Sequence, residues 1–237
     1  MKKKLLISTA AFAILFIFFF WMMFPYGNIV KMGISRAAKD AGINISYDLV
    51  DSGPFSTKFS DLEVNGVTVG DLTASYSPIS LLTRNISISS KGLITCEAEI
   101  SPSNVEFTAQ ISPEIINSYA KGKALLSSPL AVEGTGNPQG NTALIKASTD
   151  KIEVESPIGM LPFEKMNAEI SIKGYDITIN KLTSNYDMNL DLKGVLKINN
   201  KNMESSVVNI NGTADVFGQK KNMKIIGRFS NLQTSIN

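Results

Sequence analysis

An uncharged apolar run near the N-terminus constrains this chain more than any other feature. Residues 5–24 read LLISTAAFAILFIFFFWMMF, and Lys2, Lys3 and Lys4 precede them. A helix of this length, rising ~1.5 Å per residue, spans about 30 Å, the thickness of a bilayer's hydrocarbon core. Cations are enriched on the cytoplasmic side of membrane helices. The sequence therefore predicts a basic cytoplasmic tip and a single transmembrane helix within residues 1–26.

The bulky end of this run indicates that the segment stays attached to the rest of the chain. A cleavable signal peptide has an apolar region of only ~7–15 residues and ends at a small-x-small site, whereas this run ends in FFFWMMF. Trp21 and Tyr26 are placed like interfacial aromatics, and Pro25 can end the membrane helix. We predict an uncleaved signal anchor with these three residues at its outer end. A signal peptide that is cleaved further on is the alternative.

Residues 27–42 change to a helical pattern. Apolar side chains recur there at helical spacing: Val30, Ile34, Ala37, Ala38 and Ala41. Gly42 is a favourable residue just after a helix. This pattern predicts a short juxtamembrane amphipathic helix. Because alanines cover little area and would hold lipid weakly, packing against the following sheet is favoured over lying on the membrane.

From residue 43 to residue 237 the dominant pattern is an alternation of apolar and polar side chains. The segment INISYDLV at residues 43–50 is one example, and residues 94–100 and 105–111 are two more. A period of two predicts strands with one apolar and one wet face. Because no long helical pattern separates the strands, an antiparallel sheet is favoured over parallel βαβ units. We predict an all-β, antiparallel domain over residues 43–237.

Turn and helix signals punctuate the predicted strands. Asn65-Gly66 and Asn211-Gly212 are typical turn pairs. Ser77-Pro78 and Ser112-Pro113 are typical helix starts. Residues 127–141 are rich in Gly, Ser, Pro and Asn, and this composition predicts a loop.

Periodicity leaves two architectures open. The apolar faces pack inside a closed sandwich or barrel, or they line a groove in an elongated, curved sheet. Such a groove would bind lipid by covering acyl chains with apolar surface. The candidate groove residues are Ile43, Ile45, Tyr47, Leu49, Val105, Phe107, Ile111, Ile170, Ile172, Ile177, Ile179, Leu190 and Leu192.

Composition argues against catalysis, metal binding and nucleic-acid binding. The formal net charge is +2, of which the three N-terminal lysines contribute +3, so the remainder sums to 2 − 3 = −1 and offers no basic footprint for nucleic acid. There is no histidine and one cysteine, Cys96, which removes the commonest general base and every Cys/His zinc site. Two S-x-x-K matches, at residues 118–121 and 148–151, lack the S-D-N and K-T-G elements of the corresponding enzymes. We predict a non-enzymatic protein without a cofactor or a metal site.

The order of these features resembles a known family. The resemblance is carried by the FPY junction at residues 24–26, the hairpin FSDLEVNGVTVGDLTASYSP at residues 59–78 and the SLLTR segment that follows. Residues 166–198, MNAEISIKGYDITINKLTSNYDMNLDLKGVLKI, match as a strand pattern. The chain resembles the type II secretion system protein N (GspN) family, which is related to the AsmA-like, bridge-like lipid-transfer proteins.

This resemblance implies a bacterial inner-membrane protein with a cytoplasmic N-terminus and a periplasmic β domain. It further implies an accessory role in the type II secretion machinery, with other envelope or secretion proteins as partners. The alternative is a periplasmic lipid-binding or lipid-transfer protein, AsmA-like or similar to a lipopolysaccharide-transport subunit. Its ligand would be phospholipid or another acyl-chain lipid. The resemblance supplies no catalytic residue.

Overall fold

Antiparallel β-sheet makes up most of the described chain, which confirms the predicted all-β class. The structure, a computed structural model, describes residues 15, 26–42, 44–83, 85–120, 122–156, 159–185, 188–199, 202–216, 218–228 and 230–236. The chain divides into two compact units, Met1–Gly92 and Leu93–Asn237.

The predicted membrane span lies outside the described residues, with the exception of Leu15. Trp21 and Pro25 lie outside them as well. Among the described ranges, no helix combines the length and the apolar character that crossing a bilayer requires. The transmembrane anchor therefore stays a prediction from the sequence.

The first unit combines one long helix with short strands. Helix α1 spans Tyr26–Ala41, and a second helix, α2, spans Pro78–Thr83. The strands are β1 (Ile45–Ser46), β2 (Leu49–Ser52), β3 (Ser56–Val64), β4 (Val67–Ser75) and β5 (Ile86–Lys91). Both β1 and β2 pair antiparallel with β3, which is followed in the sheet by β4 and β5.

Local signals of the first unit act where the sequence places them. Asn65 and Gly66 have positive φ angles of 52° and 79°, as a two-residue type I′ hairpin between β3 and β4 requires. Ser77 caps α2, because its Oγ accepts a hydrogen bond from the amide of Ser80 at 2.9 Å. Both predictions from these dipeptides are confirmed.

Helix α1 packs against β2 and β3, and its first residue is buried. Tyr26, which the sequence places at the membrane interface, is only 6 % exposed, and its ring centroid lies 6.3 Å from that of Tyr76. Burial and the neighbouring Tyr76 raise the pKa of the Tyr26 phenol. Ala38 is buried further along the helix. The apolar side of α1 thus covers the sheet.

A buried hydrogen-bond network stabilises the core beneath α1. The Tyr76 hydroxyl donates to the Gly53 carbonyl at 2.8 Å and lies 2.9 Å from Thr57 Oγ1. Thr57, fully buried, also lies 2.6 Å from Ser52 Oγ. Buried polar groups need such partners, because a group without one costs about 1–3 kcal/mol. Phe59, 1 % exposed, fills the adjacent space.

The second unit is one antiparallel sheet with a helix attached. Its first strands are β6 (Ile94–Ile100) and β7 (Val105–Ile111), followed by helix α3 (Pro113–Ala120), as predicted. The later strands are β8 (Ala124–Leu126), β9 (Leu130–Asn137), β10 (Thr142–Ser156), β11 (Gly159–Lys173), β12 (Asp176–Ser184), β13 (Met188–Lys197), β14 (Val207–Val216), β15 (Gln219–Arg228) and β16 (Asn231–Ile236). A short 3-10 helix spans Met203–Ser205. The strand order is β6-β7-β9 and then sequential to β16, while β8 pairs with the far end of β10.

Two turn predictions in this unit are wrong. Residues 130–137 form strand β9 within the predicted loop at 127–141, and Asn211-Gly212 lies inside strand β14. Both predictions took a glycine as a turn residue, but Gly134 and Gly212 lie in strands where a neighbouring strand comes too close to leave space for a side chain. A Cβ on Gly134 would lie 2.6 Å from Cε1 of Phe107, so the aromatic ring occupies the place of a side chain. A Cβ on Gly212 would meet the backbone of Asp191 and Leu192.

Replacement of Gly134 by alanine should destabilise the second unit by about 1–3 kcal/mol, because the new methyl group and the Phe107 ring cannot both fit. Equilibrium denaturation with urea would measure the loss. Gly136→Ala is the matched control: the nearest atom to its Cβ would be the Thr142 carbonyl oxygen at 3.4 Å, and the same strand is altered. Equal stability of the two variants would contradict the close packing of Phe107 on Gly134.

Candidate functional site

One face of the second unit's sheet collects the predicted groove residues of that unit. Strands β6 and β7 alternate strictly between partly buried apolar residues and exposed polar residues, and β9 has the same alternation of burial. Residues that are Cα partners on neighbouring strands lie on the same face of a sheet. The register can therefore be followed from strand to strand to find which side chains are neighbours.

The central row of this face runs across the strands from β7 to β15. Each member is the Cα partner of the one before it on the adjacent strand. In order, the row contains Phe107, Gly134, Ile145, Ile170, Ile179, Gly194, Ile210 and Ile225. Every side chain in the row is apolar or absent.

The rows on either side have the same character. The first contains Val105, Gly136, Ala143, Ile172, Ile177, Leu196, Val208 and Gly227. The second contains Ala109, Val132, Ala147, Ala168, Leu182, Leu192, Gly212 and Met223. We call these three rows the apolar face. Ile111 and Leu190 lie on the same side of their strands, one row further on.

A β-bulge on β12 keeps apolar side chains in these rows on both sides of an irregularity in the strand pairing. The register shifts between Glu169 and Ile170 on β11, and again between Ile179 and Leu182 on β12. Asn180 and Lys181 fall in this shift, and both are exposed. Ile179 and Leu182 both remain in the apolar rows, although their separation of three residues would place them on opposite sides of a regular strand.

Most side chains of the apolar face are only partly buried. The exceptions at the β13–β14 end are Leu192 and Val208, with 4 % and 3 % of their surface exposed. Phe107, Ile170 and the other predicted groove residues of this unit retain intermediate exposure. A filled protein core would bury most such side chains nearly completely.

The opposite face of the same sheet is mainly polar, and we call it the polar face. One cross-strand row there contains Glu97, Thr108, Glu133, Lys146, Glu169 and Lys181. Lys146 Nζ lies 3.2 Å from Glu133 Oε1, although both side chains are 60 % exposed. Ion pairs as exposed as this one contribute little to stability. The polar face is a solvated surface, and the sheet is amphipathic across its thickness.

Helix α3 and strand β8 close one side of the β10–β11 hairpin. The Asn117 side chain binds β8 at both ends of its amide: Nδ2 donates to the Leu126 carbonyl at 3.0 Å, and Oδ1 accepts from the Leu126 amide at 2.7 Å. Leu126 and Ile115 are consequently buried, at 4 % and 8 % exposure. Asn117 thus satisfies backbone groups of a strand that pairs only briefly with β10.

The remaining predicted groove residues belong to the first unit. Ile45 and Tyr47 are partly buried, and the Tyr47 ring meets the Phe59 ring edge-on at a centroid distance of 5.3 Å. Of Leu49 the structure describes the backbone, which pairs with Ser60, and Ile43 lies outside the described residues. Tyr47 therefore packs on the core of the first unit.

Several residues of the apolar face escaped the sequence prediction. Val208 and Ile210 of β14 and Met223 and Ile225 of β15 are not among the predicted groove residues. The segment QKKNMKIIGR places Met223 and Ile225 two apart, which is a weak period-two signal. The glycines at 134 and 194 belong to the face as well, but their absent side chains give no hydropathy signal.

Comparison with protein-family models, curated proteins and solved structures found no match to this chain. Within the described residues no group of three or more His, Cys, Asp or Glu side chains is placed to hold a metal ion.

Cys96 of β6 lies on the same side of the sheet as the apolar face. Its Cα partner is Ala109, in the apolar rows. Burial, followed by the Glu97 carboxylate, raises the pKa of the Cys96 thiol. Since the thiolate is the reactive form, a raised pKa lowers the reactive fraction at neutral pH.

Cys96 should therefore react with iodoacetamide severalfold more slowly in the native chain than in urea. Glu97→Gln should speed the native reaction, because removing that charge lowers the thiol pKa. Glu99→Gln is the matched control, because it removes a negative charge from the same face of β6. The Glu99 carboxylate does not contribute to the raised pKa of Cys96, so this variant should react at the unchanged rate. Mass spectrometry of quenched time points measures the rates. Identical rates in native and unfolded chain would refute the partly buried position.

Proposed function

We propose that the second unit binds lipid by holding acyl chains against its apolar face. One observation supports this most directly: a continuous apolar surface crosses the strands from β7 to β15 while most of its side chains stay partly exposed. Large contiguous apolar patches on folded proteins usually bind a partner or a ligand. The lipid-binding role is favoured here over the secretion role, for which the structure supplies no comparable feature.

Contact between water and the exposed part of the apolar face is energetically unfavourable. Burying apolar surface yields roughly 25 cal/mol for each Å² removed from water. Partly exposed side chains such as Phe107 and Ile179 still have such area to lose. A ligand that covers them gains this free energy without requiring the sheet to refold.

The chemistry of the rows favours hydrocarbon over peptide as the ligand. The three rows contain aliphatic residues, one phenylalanine, one methionine and glycines, so they offer an acyl chain contact without hydrogen-bond demands. A peptide laid across the same rows would need partners for its amides and carbonyls. Successive strands are ~4.8 Å apart, so the rows from β7 to β15 extend for roughly 35 Å, more than the ~15 Å that an acyl chain occupies in one leaflet.

Photo-crosslinking should capture lipid on this face. A photoreactive amino acid at position 107 or 179 of the full chain, expressed in a bacterial envelope and irradiated there, should give adducts with the mass of phospholipid or another acyl-chain lipid. Positions 106 and 108 are matched controls, because they flank Phe107 on β7 and lie on the polar face. Mass spectrometry of the purified adducts identifies the ligand.

Either of two outcomes would contradict the proposed lipid binding. If positions 107 and 179 give only protein adducts, or if 106 and 108 capture lipid equally well, the apolar face does not hold acyl chains. Ile179→Asp provides a second measurement, because a charge in the central row should abolish lipid co-purification. Thr178→Asp, on the polar face, should leave it intact.

An accessory role in type II secretion remains a proposal that rests on the sequence resemblance. The predicted N-terminal anchor and the predicted periplasmic position are compatible with both roles, because a secretion accessory can also hold lipid. Deletion of the gene in its host should reduce the amount of exported proteins in the medium while their cellular amounts rise. Unchanged export of every secreted protein would reject this role and leave lipid binding standing.

A further inference from the structure

The polar face of the second unit is unevenly charged along the order of its strands. Strands β6, β7 and β9 present four exposed carboxylates there and no cation: Glu97, Glu99, Glu106 and Glu133. At the other end, β13 and β15 present exposed cations: Lys193, Lys197, Lys220, Lys224 and Arg228. The charge changes sign from one end of a single face to the other.

Four of these cations form a rectangle. Lys193 is level with Lys224, since both pair with Asn211 of the intervening strand β14. Lys197 is level with Arg228, and both pair with Val207. Strand spacing places the level pairs about 10 Å apart, and the four-residue separations along β13 and β15 are about 13 Å.

The rectangle encloses apolar residues. Between the two pairs of cations lies the row Val195, Asn209 and Ile226, which are Cα partners across the three strands. Val207, between Lys197 and Arg228, is 46 % exposed. We call the four cations with Val195, Val207 and Ile226 the basic patch. Apolar side chains among cations on the wet side of a sheet have no role in packing the apolar face.

The cations of the basic patch outnumber the carboxylates near them. In the described part of the chain none of the four forms a salt bridge. The closest carboxylates by register are Asp176, the partner of Lys197, and Asp191, two residues before Lys193 on the same face. Four cations against these two carboxylates leave a net positive surface.

We propose that the basic patch docks the second unit onto the surface of an anionic phospholipid bilayer. Long, mobile lysines beside short apolar side chains suit a headgroup layer, where the cations meet phosphates and the apolar groups enter the boundary below. The inference rests on the proposed lipid binding in one respect: the patch lies behind Val208, Ile210 and Ile225, so docking would hold that end of the apolar face one sheet thickness from the membrane, on the side turned away from it.

Charge and shape favour a bilayer over an acidic protein or a second copy. The four cations lie on β13 and β15, on either side of β14, and the recess lined by Ile226 and Arg228 includes only one of them, so it would not hold a single partner in register with all four. A fluid anionic surface needs no such register, because its headgroups rearrange to meet fixed cations. Each lysine or arginine held near such a surface strengthens binding about fivefold, and salt screens the attraction.

A vesicle-capture experiment with the full chain tests the proposal. The chain is held by its N-terminal segment in nanodiscs of phosphatidylcholine and then offered vesicles of pure phosphatidylcholine or vesicles containing phosphatidylglycerol. Only the anionic vesicles should co-float with the nanodiscs, and capture should fall as salt rises. Replacing Lys193, Lys197, Lys224 and Arg228 together by Gln should weaken capture by roughly 600-fold, about fivefold for each cation.

Two further variants separate charge at the patch from net charge and from misfolding. Replacing Lys31, Arg36, Lys91 and Lys123 by Gln removes the same four charges from exposed positions elsewhere and should leave capture unchanged. Replacing Lys193, Lys197 and Lys224 by Arg keeps the charges and should preserve capture.

The results that would overturn docking are equal capture of neutral and anionic vesicles, or full capture by the four-Gln variant. A patch-dependent change in oligomeric state without vesicle capture would identify an interface between copies and reject docking. Lipid co-purification on the same variants distinguishes the two proposals. If the four-Gln variant still co-purifies with lipid but no longer captures vesicles, both proposals are supported. If the chain captures anionic vesicles but no lipid co-purifies with it, the proposed lipid binding is rejected and docking stands.

Discussion

Cross-strand register is the constraint on which the second unit depends. Side chains of a strand alternate between two faces, so a slip of one residue between any two strands would exchange apolar and polar positions for everything beyond it. From Phe107 to Ile225 the pairing keeps apolar residues level over eight strands, with one bulge at Asn180 and Lys181. The apolar face and the basic patch are two consequences of the same register, on opposite sides of one sheet.

Partly exposed apolar side chains distinguish this sheet from a closed protein core. The first unit contains a closed core, in which Phe59 is 1 % exposed and Thr57 is fully buried. The buried Tyr76 hydroxyl is hydrogen-bonded there to Thr57 and to the Gly53 carbonyl. The apolar face reaches that degree of burial at few positions, such as Leu192 and Val208. The proposed acyl ligand would supply the contacts that the chain itself leaves open.

Local chemistry in the sequence was sufficient wherever a short segment decides its own conformation. The Asn65-Gly66 turn, the Ser77 cap and the alternation in residues 94–100 were predicted correctly, because turn dihedrals, capping hydrogen bonds and period-two patterning are properties of a few neighbouring residues. The errors occurred at glycines. Gly134 and Gly212 resemble turn residues in sequence, but they belong to strands in which a distant residue occupies the space beside them.

The sequence by itself determined the all-β class, the positions of most strands and nine of the residues that lie on one side of the second unit's sheet. Only the tertiary structure decided which strands are neighbours, that Ile145, Val208 and Ile225 complete the same rows, and that four cations from β13 and β15 surround apolar residues on the reverse side. The physical reason is that a period of two fixes the face of each residue within its strand. The row to which a residue belongs depends on hydrogen bonds to a partner far away in the chain.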